Sequence, residues 1–203
     1  MPNGELDKKS ITFILIMINI VIWIMGVLNT YLPFLSLLPV LPGTGGIYYP
    51  AVAGGQWWRI VTAMFIHGGL YHLSSNTLAL FALGGMMEKH LGKKRYTVIY
   101  FASGLGGNLL VLLKDYITGI YPYTVGASGA ILGIMGALLA EAVMKRGISG
   151  EMYIRRVLFA SILMLIPSSP NISMAAHLGG FICGAAAAFI MAGADRGRNI
   201  EVM

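Results

Sequence analysis

The chain has 203 residues, of which 57% are hydrophobic and only 11% are charged, and its formal net charge is +6. Charged residues make up about a quarter of an ordinary soluble domain, and a soluble fold of this length could not cover its surface with so few. The composition therefore excludes an ordinary soluble enzyme and indicates one membrane domain over residues 1–203. With Cys183 as its only cysteine, the sequence also excludes an internal disulfide.

Six apolar segments are candidates for membrane-spanning helices, which need about 20 mostly apolar residues. The first follows Lys8 and Lys9, as in a secretory signal, but it is too long for a signal and no small-residue cleavage site follows it. We therefore predict an all-α, polytopic membrane protein with six transmembrane helices. In chain order the spans cover approximately residues 11–31, 71–87, 96–113, 126–142, 155–169 and 172–192.

The positive charges indicate how these helices are oriented, because Lys and Arg accumulate in short cytoplasmic loops. If the N-terminus is cytoplasmic, twelve of the 14 Lys and Arg residues lie in cytoplasmic segments, and only Arg59 and Lys114 lie outside. One missed span would invert every later loop, so this asymmetry also favours the count of six. We expect a multi-pass protein of the cytoplasmic membrane with both termini in the cytoplasm. Topology then explains the basic charge, which removes nucleic acid as an expected partner.

The longest predicted connection, residues 32–70, joins the first two spans on the outer side. It is rich in Pro and Gly and contains Trp57 and Trp58 directly before Arg59. Tryptophan favours the headgroup region of a bilayer, where its ring is buried and its N–H is hydrated. We therefore expect this first loop to lie partly in the membrane interface.

A set of polar residues falls at one depth, near the outer ends of three predicted spans. His72 and Asn76 lie four residues apart on one face of the second span, with His67 just before it, while Ser128 begins the fourth span and His177 lies early in the sixth. At 1.5 Å per residue, all of them fall within roughly 10 Å of the outer end of their helix. Each alone is commonly a helix cap or an interhelical contact. Their coincidence at one depth indicates a functional site or a water cavity.

Glycines line the two helices that would carry the serine and the second histidine. Small residues at such spacings let helix backbones approach closely. Close approach would bring the Ser128 hydroxyl within hydrogen-bond reach of His177. The glycines of the fourth span are Gly126, Gly129, Gly133 and Gly136, and those of the sixth are Gly179, Gly180 and Gly184.

These side chains could perform acyl transfer. A serine hydroxyl becomes nucleophilic when a neighbouring base takes its proton, and neutral histidine is the usual base near pH 7. Because the span interiors hold no carboxylate that could orient His177, we expect a Ser128–His177 dyad. The Ser128 amide, at a helix start, and the side chains of His72 and Asn76 could donate hydrogen bonds to the oxyanion. The sequence lacks a plausible metal-ligand set, so we expect no metal and no cofactor.

Several motifs then match a known family. The stretch His67–Asn76 resembles the H-x-x-x-x-H-x-x-x-N signature of rhomboid proteins, Gly126–Gly129 resembles their G-x-S-G motif, and Ala176–Gly184 resembles their A-H-x-x-G-x-x-x-G motif. The pair Trp58–Arg59 is similar to the W-R pair of the rhomboid first loop, and Gly84–Glu88 is similar to the G-G-x-x-E at the end of the second span. The resemblance covers nearly the whole chain and follows the family's order.

The resemblance implies a rhomboid-like bundle of the basic six-span prokaryotic type. It implies a serine endopeptidase that cleaves transmembrane segments of single-pass membrane proteins near their extracytoplasmic end, with Ser128 as nucleophile and His177 as general base. It assigns oxyanion stabilisation to His72, Asn76 and the Ser128 amide. One departure is Leu132, where some members place an aromatic ring under the catalytic histidine. The structural supports that it implies are His67, Trp58, Arg59, Glu88, Gly126, Gly129, Gly180 and Gly184.

Three other functions fit parts of the sequence. A catalytically silent rhomboid-like protein could bind membrane clients without cutting them, but such a protein lacks the serine or the histidine. A small transporter or channel usually carries ionisable groups near the midplane and often inverted repeats, neither of which the sequence indicates. A purely structural helix bundle would explain the glycines but not the polar layer.

Overall fold

The computed structural model describes residues 10–29, 31–32, 43–144 and 173–201, with side chains described through residue 194. Within these ranges the secondary structure is helical, apart from an isolated antiparallel bridge between Ile47 and Thr124. The all-α prediction is therefore confirmed for the described residues. The predicted fifth span, residues 155–169, lies outside them, so the count of six spans stays a prediction.

Eight α-helices follow one another in the described ranges. A 3₁₀ turn, Ala63–Phe65, follows the third of them, and a π turn, Leu80–Gly84, joins the fourth to the fifth. The helices are α1 Ile11–Leu28, α2 Tyr49–Ala53, α3 Arg59–Thr62, α4 Leu70–Ala79, α5 Gly85–Leu91, α6 Lys93–Thr118, α7 Ser128–Met144 and α8 Met174–Glu201.

Three of the described helices, α1, α6 and the part of α8 over Met174–Ala194, are long and apolar enough to cross a membrane, and α7 is a shorter apolar helix. These apolar helices identify a membrane protein. Their bounds differ from the predicted spans, because helix geometry continues into polar sequence that a hydropathy pattern leaves out. Thus α6 begins before residue 96 and continues past residue 113 through Lys114 and Asp115, whereas α7 begins at Ser128 and leaves Gly126 in the preceding loop.

The second predicted span, residues 71–87, is not one regular helix. It consists of α4, the π turn and α5, which continue into one another because Leu80, Gly84 and Gly85 all have right-handed helical backbone angles. A π turn holds more residues per turn than an α-helix, so it rotates the face of α5 relative to that of α4. At its end, a Cβ on Gly84 would lie 2.6 Å from the Tyr96 hydroxyl, so glycine lets this helix approach α6 closely.

Glu88, on the rotated face of α5, caps the first turn of α1. Its carboxylate accepts hydrogen bonds from the amides of Ile11 and Thr12, each at 2.8 Å, and from the Ser10 hydroxyl at 2.9 Å. Burial alone would raise the pKa of Glu88, but these hydrogen bonds outweigh burial and hold the pKa below its ordinary value. The carboxylate therefore satisfies amides that a helix N-terminus leaves without partners, and it places a negative charge where the helix dipole favours it.

Helices α6, α7 and α8 pack at glycines. A Cβ on Gly180 or Gly184 would collide with the backbone carbonyls of Gly129 or Gly133, respectively, on α7. On the α6 side, a Cβ on Gly107 would lie 2.5 Å from the Ala176 carbonyl oxygen. The three backbones are thus in direct contact, which fixes the height of α7 and α8 relative to each other.

The first loop packs against the loop before α7. Ile47 and Thr124 exchange backbone hydrogen bonds of 2.8 and 2.9 Å, and the Tyr123 hydroxyl accepts hydrogen bonds from the amides of Gly43 and Gly46. Closer to α7, the Gly126 amide donates to the Ala63 carbonyl at 2.9 Å. The residues that lead into Ser128 are therefore held by the first loop over its described part.

Candidate active site

Ser128 is the first residue of α7 and follows a loop whose backbone conformation favours a glycine. Gly126, two residues earlier, has φ of +124°, a conformation that side-chain-bearing residues rarely adopt. As the first residue of a helix, Ser128 has an amide without an intrahelical acceptor, and its side chain is half-buried. The loop thus places the Ser128 hydroxyl next to a backbone amide that has no intrahelical acceptor.

His177 lies opposite Ser128, on the first turn of α8. The distance between its Nε2 atom and the Ser128 Oγ atom is 2.9 Å, although the two residues are 49 positions apart. The imidazole is buried, with 4% of the residue exposed, and its Nδ1 atom has no hydrogen-bond partner in the part of the chain that the structure describes. For Nε2 to accept the serine proton, Nδ1 must carry the ring hydrogen.

The His72 side chain lies beside Gly126. A Cβ on Gly126 would lie 2.8 Å from His72 Nε2 and 3.8 Å from Ser128 Oγ, so the imidazole occupies the space that a larger residue would fill. Asn76 is buried one turn further along α4, and its Nδ2 atom donates to the His72 carbonyl at 2.8 Å. An amide NH₂ group carries two hydrogens, so this bond engages one of them. His72 and Ser128 therefore both lie beside Gly126, and Asn76 lies one turn further along α4 from His72.

His67 packs its ring edge-on against His72, with 5.1 Å between ring centroids. It lies before α4, and only 3% of the residue is exposed. Burial and, to a smaller extent, the proximity of His72 lower the pKa of His67 to about 4, against a smaller opposing effect of a hydrogen bond to the Phe65 backbone. His67 is therefore neutral at physiological pH and supports the His72 ring by packing rather than by charge.

Arg59 and Trp58 hold the first loop in place. The Arg59 guanidinium is buried and donates to the carbonyls of Gly46 and Gly43 at 2.8 and 3.3 Å. The Trp58 indole donates to the Thr44 carbonyl at 3.3 Å. These bonds fix the segment that contacts Tyr123, so the two side chains act on Ser128 only through the loop before it.

A family model described as the rhomboid domain matches residues 54–194, which include all the motif residues of the first loop, α4, α5, α7 and α8. The chain belongs to the rhomboid family. The resemblance noted in the sequence motifs is thereby confirmed.

This rhomboid is similar to bacterial and plant members of its family. It is 37% identical to YdcA of Bacillus subtilis (strain 168) over 142 residues, which are 68% of each chain. It is 36% identical to the rhomboid protease GluP of the same organism over 139 residues, and 31% identical to RHOMBOID-like protein 5 of Arabidopsis thaliana over 157 residues. The matches cover 26% of GluP and 50% of the plant protein, so this rhomboid shares one domain with longer relatives.

Three polar residues outside the motifs were not predicted from the sequence. Tyr123 binds the first loop, and Asn108 of α6 donates from Nδ2 to the Ile60 carbonyl at 2.8 Å. Asp115 is completely buried and lies 2.8 Å from the ammonium group of Lys114. The sequence could have indicated an interhelical contact at Asn108, because this residue is an amide within an apolar span, as Asn76 is. No such signal exists for Tyr123, since its partners are backbone amides 77 and 80 residues away.

Proposed function

We propose that this rhomboid is an intramembrane serine endopeptidase that cleaves transmembrane segments of single-pass membrane proteins near their extracytoplasmic end. The observation that carries the proposal is the 2.9 Å distance between Ser128 Oγ and His177 Nε2. A nucleophile and a base within hydrogen-bond reach are what acyl transfer requires. The bacterial relative GluP is a rhomboid protease, which supports the same reaction class.

Each proposed step uses an atom of this site. His177 Nε2 takes the proton from Ser128 as Oγ attacks the scissile carbonyl carbon, and the developing oxyanion accepts hydrogen bonds from the Ser128 amide and from His72 and Asn76. When the tetrahedral intermediate collapses, the same imidazole protonates the leaving amine. Water, activated by His177, then hydrolyses the acyl-serine and restores the free hydroxyl. No metal or cofactor takes part in this mechanism.

The depth of Ser128 explains why the substrate would be a membrane segment. Helix α6 has 26 residues and a length of about 39 Å, which exceeds the hydrocarbon core of a bilayer, about 30 Å thick. Gly129, next to Ser128, and Gly107 of α6 both approach the Ala176 carbonyl of α8, and Gly107 lies about 17 Å along α6 from its last residue, Thr118. Ser128 therefore lies well below that end of α6, where a membrane helix can present a peptide bond after local unwinding.

The proposal is tested by a cleavage assay in liposomes with a model single-span substrate. Ser128→Ala and His177→Ala should each reduce cleavage to background while the purified variants keep the wild-type melting temperature. Ser75→Ala, an exposed serine on α4, is the matched control and should retain activity. A fluorophosphonate, which phosphonylates activated serines, should label wild-type protein but not the Ser128→Ala variant. Unchanged cleavage by either site variant would refute the dyad.

The alternative function, client binding without cleavage, makes a different prediction in the same assay. A silent protein would retain the substrate in a pull-down from detergent, release no product, and show no Ser128-dependent phosphonylation. The buried His177 ring facing Ser128 favours the catalytic function, since a binding protein has no need to place a base against a hydroxyl.

A further inference from the structure

A groove with a volume of about 490 Å³ lies at the end of the bundle opposite Ser128, where α5 turns into α6 beside α8. Three consecutive cations, Lys93, Lys94 and Arg95, line one side of it. The other side is apolar and is formed by Leu91, Val98 and Met191. The groove therefore has one charged and one hydrocarbon wall, and neither belongs to the candidate active site.

The cationic wall is accessible at a membrane surface. Lys93 and Lys94 are exposed and Arg95 is half-buried, while Val98, on the apolar wall, is 46% exposed. In a bilayer, a cation near the surface attracts anionic headgroups, and apolar side chains just below contact the first methylenes of the acyl chains. The cationic wall therefore matches the headgroup of a phospholipid, and the apolar wall matches the upper part of its acyl chains.

The start of α6 adds to this attraction. The helix begins at Lys93 after Gly92, whose φ is +78°, and no side chain caps it. Its first-turn amides carry the positive end of the helix dipole, and cations at that end are electrostatically unfavourable. A bound anion would interact favourably with this end of the dipole. This effect reinforces a site that the charged and apolar walls already define.

We propose that this groove binds the phosphate headgroup of an anionic phospholipid, with its upper acyl chain against the apolar wall. The leaflet depends on the proposed topology, which places the Lys93 end in the cytoplasm; lipid selectivity does not. A free phosphate would use the cations but leave the apolar wall without a partner. The occupant is therefore a lipid of the surrounding membrane, and its binding is independent of the chemistry at Ser128.

The test uses the full-length protein in non-ionic detergent and measures bound lipid by native mass spectrometry. Phosphatidylglycerol should bind more tightly than phosphatidylcholine of the same chain length. Lys94→Gln should weaken phosphatidylglycerol binding about fivefold, the effect expected for one cation near a membrane surface. Lys89→Gln is the matched control, because Lys89 is an exposed cation at the same end that does not line the groove, and it should leave binding unchanged.

A second variant separates a lipid site from an anion site. Val98→Trp fills the apolar wall without changing charge, so it should weaken binding of phosphatidylglycerol, while millimolar inorganic phosphate should displace little lipid. Equal weakening by Lys89→Gln and Lys94→Gln would overturn the proposal in favour of diffuse charge attraction. So would displacement of the lipid by stoichiometric phosphate, or equal binding of both lipids. Loss of cleavage activity would bear on the proposed protease function alone, since lipid binding is measured without substrate.

Discussion

At the scale of single residues, the geometry of the site depends on side chains that are held in place by their neighbours. The His72 ring lies against Gly126 on one side and against His67 on the other, and Asn76 binds the carbonyl of the same histidine. The Nδ1 atom of His177 has no hydrogen-bond partner within the described residues. Leu132, which stands where some family members carry an aromatic ring, is buried in the core. The ring of His72, a proposed oxyanion donor, is thus held by contacts with several neighbours.

The proposed oxyanion donors, His72 and Asn76, give a kinetic prediction. His72→Ala should lower kcat about 10²–10³-fold, because removing one donor to an oxyanion costs that much, and it should change KM little. Asn76→Ala should have a smaller effect, since one of its two hydrogens is already engaged by the His72 carbonyl. Steady-state cleavage in liposomes measures both, with Ser75→Ala as control. A kcat for His72→Ala within threefold of wild type would exclude this role for the imidazole.

At the scale of helices, glycine contacts set the distance between Ser128 and His177, the proposed nucleophile and base. Ser128 lies one residue before Gly129, and His177 lies three before Gly180, so the backbone contact between these two glycines is close to the reacting atoms. The contact of Gly184 with Gly133, one turn deeper, continues the same interface. Adding a methyl group there must push α7 and α8 apart.

We therefore expect Gly184→Ala to lower both stability and activity. The new Cβ would meet the backbone of Gly133, which cannot rotate away, and overpacking of this kind costs about 1–3 kcal/mol. The matched control is Gly193→Ala on the same helix, where a Cβ meets nothing within 4 Å. Gly184→Ala should have a lower melting temperature in detergent and a lower cleavage rate in liposomes than Gly193→Ala. Equal melting temperatures would show that the helices adjust without cost.

The contact between α5 and α1 gives a prediction that depends on pH. Glu88→Gln should lower the free energy of unfolding by about 1–3 kcal/mol at pH 7, because a neutral amide replaces a charged acceptor of three hydrogen bonds. The native pKa of Glu88 is below its unfolded value of 4.5. The unfolded chain therefore binds more protons as pH falls below about 4.5, and the wild-type advantage should shrink there. Lys89→Gln, a neighbouring exposed charge, should leave the melting temperature unchanged; a constant advantage down to pH 3 would contradict the assignment.

Helices and motif residues could be predicted from the sequence to different extents. The apolar run over residues 11–28 predicts α1 well, because lipid solvates such a helix on its own. The π turn at Leu80–Gly84 could not be predicted, since a hydropathy pattern does not distinguish it from an α-helix and the contacts that Gly84 and Glu88 make are with distant parts of the chain. For the same reason, spacing could place Ser128 and His177 at one depth but could not give the angle at which their side chains face each other.

At the scale of the whole molecule, the candidate active site lies beside the middle of α6, whereas the cationic groove lies at the first residue of this helix, Lys93. Helix α6 runs from Lys93, at the groove, to Thr118, and the loop that follows leads to Gly126 and Ser128. Its length of about 39 Å exceeds the bilayer core, so the helix is long enough to place its two ends in different aqueous phases. The positive-inside rule supports our proposal that the Lys93 end is cytoplasmic and that the site at Ser128 opens to the extracytoplasmic side.

This assignment is tested by labelling single cysteines in intact cells. After Cys183→Ala removes the only native thiol, Ile120→Cys, in an exposed loop position before Ser128, and Lys94→Cys, at the opposite end, are introduced separately. A membrane-impermeant maleimide should label Ile120→Cys in intact cells and Lys94→Cys only after permeabilisation. Retained substrate cleavage by each variant shows that its fold is native. If Lys94→Cys reacts in intact cells and Ile120→Cys does not, the proposed orientation is inverted and the active site opens to the cytoplasm.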